Sequence, residues 1–528
     1  MQIFTARRIL IGSCVVVLGL MGPLSAVAQS VAGKIGVFEG EGDVGVVLHA
    51  GSASYNEAKN SYTVAGSGEN IWFGEDDFHF VWKRISGDVS LAADIDILGK
   101  TGVPHRKAVL MIRQSLDKDS AFADVVLHAV GKSSLQFRST AGAEAHTIAS
   151  NVYGPRRIKL EKRGDYFYAF LSGKDGELQP LGGSTKVHMT GPFYVGIGVC
   201  AHDKNALQTV VFSKLRMDVP RREEQPRTAL FSTLETIAVG GIDTVSSDRQ
   251  VEYVAPGRME APNWSRDGSY FIFNRDGNMF RAAVICGVED VACAARVAPT
   301  HIAIGSAKRC SGDHGISPDG QVIAFTDEAK DKGGSWVYTL PISGGVPKRI
   351  TETAPSYGYG WSPDGKTLAF TGERNGKFGV YTIPAGGGEE IRLATTEGVD
   401  AGPEYSPDGS YIYFSSGRTG SMQIWRMRAD GTAQEQVSSD AYNDWSPHVS
   451  PNGQWMVFLS YGKEVKGHAA DQDVMIQVMS LKTRQVRVLA TLLGGKGTID
   501  APSWSPDSKK LAFVSYELLP LDGASETQ

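Results

Sequence analysis

The sequence predicts an all-β protein. Three observations carry this: 62 glycines against 23 prolines in 528 residues, a turn motif repeated six times in the second half, and alternating apolar segments in the first. Glycine supplies the positive backbone angles of tight turns, and closely spaced turns go with short strands rather than helices. With 41% hydrophobic and 21% charged residues, the chain is globular in composition and long enough for several domains. Its formal charge of −5 becomes −7 without Arg7 and Arg8, and no lysine and arginine cluster forms a basic stripe. That excludes a nucleic-acid binder, which must displace counterions from phosphates.

The N-terminus reads as an address. Arg7 and Arg8 precede an apolar run from Ile9 to Met21, and Ala26-Val27-Ala28 precedes Gln29. These are the charged, apolar and small-residue regions of a secretory signal peptide, residues 1–28, which predicts a mature chain from Gln29. A lipoprotein reading through Cys14 would leave the signal almost no apolar core, and the paired arginines fit a twin-arginine signal only loosely. No later stretch has the roughly 18–20 apolar residues of a membrane helix, so a periplasmic or secreted protein is expected. In an oxidising compartment Cys200, Cys286, Cys293 and Cys310 allow up to two disulfides, with Cys286–Cys293 across a short acidic loop the favoured pair.

Residues 29–218 predict a β-sandwich. Phe78, Phe80 and Trp82 alternate on one face, as do Leu91, Ala93, Ile95 and Ile97, then Val125 and Leu127, Ile158 and Leu160, Phe167 and Ala169. Turns such as Ser86-Gly87-Asp88 and Arg163-Gly164-Asp165 separate them. Gly40-Glu41-Gly42-Asp43-Val44-Gly45 matches the spacing of a dinucleotide loop but is read as a turn, because no helix follows and two carboxylates would repel a pyrophosphate. The segments Trp72–Ile97, Met111–Arg113 and Tyr194–Gly198 resemble concanavalin-A-like jelly rolls, which implies sugar binding on aromatic platforms. Residues 219–229, with Pro220 and Pro226, read as a linker.

The repeat organises residues 230–520. Its copies are Trp264–Gly268, Ile316–Gly320, Trp361–Gly365, Tyr405–Gly409, Val449–Gly453 and Trp504–Ser508, with serine-to-serine steps of 52, 45, 44, 44 and 55 residues. In Ser-Pro-Asp-Gly, proline presets one dihedral, aspartate caps the turn and glycine takes the positive φ. Strands such as Thr367–Phe370, Val380–Ile383 and Ile391–Leu393 follow each copy, and four strands per roughly 45 residues is the unit of a propeller blade. After the sixth copy only Leu511–Ser515 remains, so Leu230–Ala238 and Gln250–Ala255 are expected to complete the last blade and give six. Residues 521–528 read as a tail.

This repeat is similar to that of the TolB-type six-bladed propellers of bacterial envelopes. The resemblance implies an extracytoplasmic propeller but no fixed activity, because the repeat serves binding proteins, peptidases and polysaccharide lyases alike. No G-x-S-x-G with a hydrolase domain accompanies it here.

Function in a propeller is expected where the residues ahead of each motif reach the axis: Glu260 and Asn263, Asp313 and His314, Tyr357 and Tyr359, Asp400 and Glu404, Asp444 and His448, and Asp500. The ligand-binding candidates are Asn263, Tyr357, Tyr359, Asp400, Glu404, Asp444 and Arg418, with tyrosines for stacking and carboxylates for hydroxyls or a cation. The expected ligand is a glycan or an envelope protein. A rival reading is a metal-assisted polysaccharide lyase, as the resemblance to oligogalacturonate lyases implies. His314 or His448 would then be the base and Arg418 or the cation the enolate stabiliser. His314, His448 and His468, with Glu404 or Gln472, would hold manganese or calcium. A glycosidase fits less well, since Asp400 and Glu404 would stand about 13 Å apart along one strand.

Overall fold

The computed structural model describes residues 34–173, 175–220, 228–240, 248–284, 298–307, 309–328 and 334–520, with the Tyr359 side chain left out. The signal segment, Cys286, Cys293, most of the linker and the tail lie outside the described residues. The described chain is almost entirely strand, its one short helix being the 3-10 turn Glu57–Lys59.

The six motifs fold alike, because each is a closed hydrogen-bond unit. The serine Oγ donates to the Oδ1 of the residue two places on, as in Ser265–Asp267 (2.6 Å), Ser317–Asp319 (2.5 Å), Ser362–Asp364 (2.6 Å) and Ser450–Asn452 (2.7 Å). The same oxygen accepts the N–H five places on, from Tyr270, Val322, Thr367, Tyr411, Trp455 and Lys510, at 2.9–3.0 Å. The fourth residue needs a positive φ, which Gly365 takes at 70° and Ser508, in the one copy without glycine, at 62°.

Five copies introduce or sit within four-stranded antiparallel blades. These begin at Met259–Trp264, Cys310–Ile316, Ser356–Trp361, Asp400–Tyr405 and Asn443–Val449. The first strands of successive blades pack side by side, as those of an axial ring do. Aromatic and aliphatic side chains fill the space between blades, for example Phe370 and Leu368 against Ala324 and Val337.

Where the repeat predicts six blades, the last closed by strands from both ends of the propeller segment, five four-stranded blades form. Thr228–Ala238 does pair with both Arg249–Pro256 and Lys510–Pro520, in register from Thr228–Pro520 to Ala238–Lys510. This trio is not a free-standing blade, because Arg249–Pro256 pairs in parallel with His146–Ala149 and so joins seven strands of the N-terminal half in one ten-stranded sheet. An edge that a propeller would leave open is thereby covered. The sixth motif lies between blades: Trp504 Nε1 donates to His448 O (2.9 Å), Asn263 Nδ2 to Pro502 O (2.5 Å) and Ser503 Oγ to Pro262 O (3.3 Å).

In the N-terminal half the ten-stranded sheet packs on an eight-stranded sheet centred on Val89–Ile97 and Gln208–Asp218. Leu91, Ala93, Ile95, Val125, Leu127, Ile158, Leu160, Phe167 and Ala169 share the core between them, as their alternation predicts, with Ile97 at its margin. Phe78, Phe80 and Trp82 pack instead on the opposite face, with Val109, Met111 and Phe122. There a buried charge network closes the sheet: Arg138 donates to both Asp76 oxygens (3.0 and 2.8 Å) and to the carbonyls of Phe73, Ala143 and Ser120. The Gly40–Val44 segment is an edge strand, not a turn, and its two carboxylates clasp buried His79, Asp43 at 2.7 Å and Glu41 at 3.2 Å.

Besides the pairing of Arg249–Pro256 with His146–Ala149, side-chain contacts tie the halves, among them Arg249 Nη2 to Ser184 O at 3.0 Å. Asp473 of the fifth blade accepts from Tyr166 and Lys186, and Arg163 Nη1 donates to Leu518 O at 2.9 Å. Cys200 and Cys310 are free, buried thiols, so no disulfide joins them. Among the described residues no helix is long and apolar enough to cross a membrane.

Candidate functional site

The first strand of every four-stranded blade carries a bulge just ahead of its motif, between Glu260 and Asn263, Cys310 and His314, Tyr357 and Gly360, Ala401 and Glu404, and Trp445 and His448. Ala261 (φ 57°), Gly358 (78°), Gly402 (63°) and Ser446 (53°) make the turn. A bulge re-aims the side chains on either side of it. At Asn263, Glu404 and His448, each two places before a motif serine, the side chain is sent sideways to a neighbouring position of the ring.

That diversion corrects most of the expected site. Asn263 accepts the N–H of Ile316 (2.9 Å) while donating to Pro502, tying three blade positions together. Glu404 accepts the N–H of Val449 (3.2 Å) and pairs with His448 Nδ1, whose Nε2 meets Ile499 O at 2.5 Å. Asp400 is wholly buried under Ser416 Oγ (2.5 Å) and Arg418 Nη2 (3.1 Å), with Arg418 stacked over Trp425. Asp444 is wholly buried under Ser460 Oγ (2.7 Å). Asn263 and Glu404 are fastenings, whereas Asp400 and Asp444 are fastened through one oxygen only, with Oδ2 of each buried and without a hydrogen-bond partner. Tyr357 is half-buried beside the axis, and the Tyr359 side chain lies outside the described residues.

The expected metal set does not assemble. His314 is wholly buried with neither ring nitrogen hydrogen-bonded, and desolvation alone pushes its pKa down to about 3. His448 has both nitrogens engaged, and His468 stacks on Trp445 (5.1 Å, 6°) with its Nε2 3.3 Å from Asp500. Gln472 turns to Ala470 O. Among the described residues no three His, Cys, Asp or Glu side chains are placed to hold an ion. Neither His314 nor His448 is available as a base.

What the tertiary structure assembles instead is a carboxylate cluster at the start of the first blade. Glu260, Asp313 and Asp500 surround Gly312: a methyl group there would stand 3.4 Å from Asp500 Oδ2 and 3.5 Å from Glu260 Cβ. Asn274 Nδ2 donates to Glu260 (3.0 Å), Ser311 Oγ to Asp313 (3.1 Å) and Gly497 N to Asp500 (2.8 Å). Lys496 reaches in from the Gly494-Gly495-Lys496-Gly497 turn, 3.9 Å from Glu328. Gly497 (φ 97°) is required, since a Cβ would meet the Tyr516 hydroxyl at 2.5 Å and Glu260 Cγ at 2.7 Å.

The electrostatics follow from crowding. Burial, then Asp500, raises Glu260 to about 7, and burial raises Asp313 to about 6 against the opposing pull of Lys496. Lys496 is itself held up: burial works against its charge, but Asp313, Asp500, Glu328 and Glu260 outweigh it. Four carboxylates face one central lysine, with Arg309 3.8 Å from Glu328 and Arg258 near Glu260 at the margin, so carboxylates outnumber cations and the site favours a cationic or hydroxyl-rich guest. Glu260, Asp313 and Asp500 stand in the ring the motif spacing marks out. Lys496 and Glu328 escape it, because neither falls in the stretch just ahead of a motif serine and only the tertiary structure brings them in.

The axial ring of bladed sheets with a polar mouth defines a β-propeller. A family model described as the TolB beta propeller domain matches residues 316–492. An uncharacterized protein of Agrobacterium fabrum (strain C58) is 43% identical over 267 residues, covering 51% of this chain and 88% of that protein. A solved structure described as a TolB from Agrobacterium tumefaciens is 42% identical and covers 55% of this chain and 99% of its own, with a TM-score of 0.50. TolB from Acinetobacter baumannii is 17% identical over 58% of this chain and 77% of its own, with a TM-score of 0.39. The chain belongs to the TolB-type β-propeller family.

Proposed function

We propose that this is an exported, periplasmic or secreted binding protein whose propeller mouth holds a glycan or a basic segment of an envelope protein. The observation that carries the reading is the Glu260–Asp313–Asp500–Glu328 cluster around Lys496, a set of half-buried carboxylates that no blade-to-blade tie consumes in full. Partly desolvated carboxylates hold sugar hydroxyls or ammonium and guanidinium groups more strongly than exposed ones do. The trio Lys510–Pro520, Thr228–Ala238 and Arg249–Pro256 serves as a sixth, shared blade that closes the ring, and the two-sheet N-terminal half is a jelly-roll lectin-like domain that adds a second contact surface.

The lyase reading loses support at its base, since a base must reach the proton it removes and both histidines are enclosed. The test is to probe the chain from Gln29 against immobilised glycans and cationic peptides, alongside Glu260→Gln/Asp313→Asn. Saturable binding that salt weakens and the double variant loses supports the reading. Equal binding by both proteins moves the site away from the axis.

A further inference from the structure

The eight-stranded sheet of the N-terminal half carries a cleft of about 650 Å³ lined by Asn60, Asp94, Arg156, Arg157, Ser172, Lys214, Leu215 and Arg216. Its chemistry is set by register. Asp94 lies on the central strand, directly opposite Arg157 on one side and Ser213 on the other. A bulge between Ser213 and Arg216 then throws Lys214 (φ 49°) over the same point. Arg157 Nη1 reaches Asp94 at 2.9 Å, Lys214 Nζ at 3.2 Å and Arg156 Nε at 3.8 Å.

One carboxylate needs one cation, and Asp94, 8% exposed, has three. Arg216 joins from the rim, paired with Asp218 at 2.9 Å. With Asp218 counted, the cleft carries four cations to two anions, on a chain whose formal charge is −5. Arg156 and Lys214 keep 81% and 72% of their side-chain surface open to solvent, so both charges can be reached by a ligand. Arg157 Nε is buried without a hydrogen-bond partner. Ser172 Oγ accepts the N–H groups of Arg156 and Arg157 (both 3.0 Å), which leaves its own proton to donate.

We infer that this cleft binds a phosphate monoester. A dianion matches a net charge of two better than a single carboxylate does, and guanidinium forks match its oxygens. The cleft is far larger than a phosphate, and Asn60 and Ser172 offer neutral polar groups to whatever carries it. The site lies on a different sheet from the propeller mouth and is independent of the reading proposed there.

The test is calorimetric titration of the purified chain with inorganic phosphate, glucose 6-phosphate and glucose. It is run on the parent, on Arg156→Glu/Lys214→Glu, and on Lys482→Glu, an exposed charge reversal elsewhere on the surface. The expected result is saturable binding of a phosphate probe, weakened about tenfold or more in the double variant and within about twofold in Lys482→Glu. Both changed residues are exposed, and an unchanged circular dichroism spectrum confirms the fold. Binding should also tighten from pH 5 to pH 7.5 as the ester loses its second proton, near pH 6. Tighter binding of glucose 6-phosphate than of inorganic phosphate identifies an ester as the ligand, and the reverse order a free anion. No saturable binding, equal binding of glucose, or equal weakening in Lys482→Glu overturns the proposal.

Discussion

His448 and Glu404 meet across the seam between the fourth and fifth blades, Nδ1 to carboxylate, while the other face of the imidazole holds Ile499 O at 2.5 Å. One side chain thereby links three consecutive positions of the ring. Burial works against its charge, but Glu404, with the Ile499 carbonyl and Asp500, holds its pKa above the usual value.

That shift gives stability a sign with pH. A group whose folded pKa is raised stabilises fully below its unfolded pKa and loses this as pH rises through the folded value. For His448 the loss begins near pH 6.5 and runs upward. Glu260 and Asp444, raised to about 7, and Glu517, raised to about 8, act in the same direction from about pH 4 upward, because the folded state binds the extra protons. Below about pH 7 His314 and His128, both lowered to about 3, act the other way, so urea midpoints should fall between pH 7 and pH 9, and His448→Gln should flatten that fall. A midpoint that rises over this range would contradict the assignment.

Glu260→Gln should stabilise the protein at pH 8.5, where it removes a carboxylate crowded by Asp500, and change little at pH 5, where Glu260 is already protonated. Gln keeps an oxygen for Asn274. Thermal melts at the two pH values make the comparison. If the same variant also loses ligand, stability and binding trade off at one residue.

Arg138→Ala should cost about 3–5 kcal/mol, because it leaves Asp76 with a buried and poorly compensated charge and strips three carbonyls of their donor. Lysine is a poor substitute, since only the guanidinium fork spans both Asp76 oxygens. Chemical denaturation of the two variants should rank both well below the parent.

Ser362→Ala tests the motif. The hydroxyl both donates to Asp364 and accepts from Thr367 N, so its loss should cost about 1–3 kcal/mol and lower the melting temperature by a few degrees. Ser450→Ala should behave alike, because Asn452 replaces aspartate without changing the geometry. A silent variant would mean that the turn is held by the flanking strands alone.

The repeat was legible because its chemistry is local: serine, aspartate and glycine interact within five residues, so spacing in the chain is spacing in space. The alternation of Leu91, Ala93 and Ile95 likewise names one face of one strand. It does not say what covers the other face, which is why the charge network over Phe78 and Phe80 went unseen. The candidate site was half legible. Glu260, Asp313 and Asp500 fell in the ring marked by the motif, but so did Asn263, Glu404 and His448, and nothing in spacing alone separates a side chain facing the axis from one a bulge turns into the next blade.

By itself the sequence determined the turns and the strands they join, since these rest on short-range hydrogen bonding and on period-two burial, and the strand count pointed to the pairing of the propeller segment's two ends. The tertiary structure decided the rest. It merged the closing strands with the N-terminal sheet and enclosed the histidines. It also drew Lys496 and Glu328 to the mouth and Lys214 over Asp94. Each of these depends on which strands become neighbours, and long-range pairing is set by the packing of whole sheets rather than by any local run of residues.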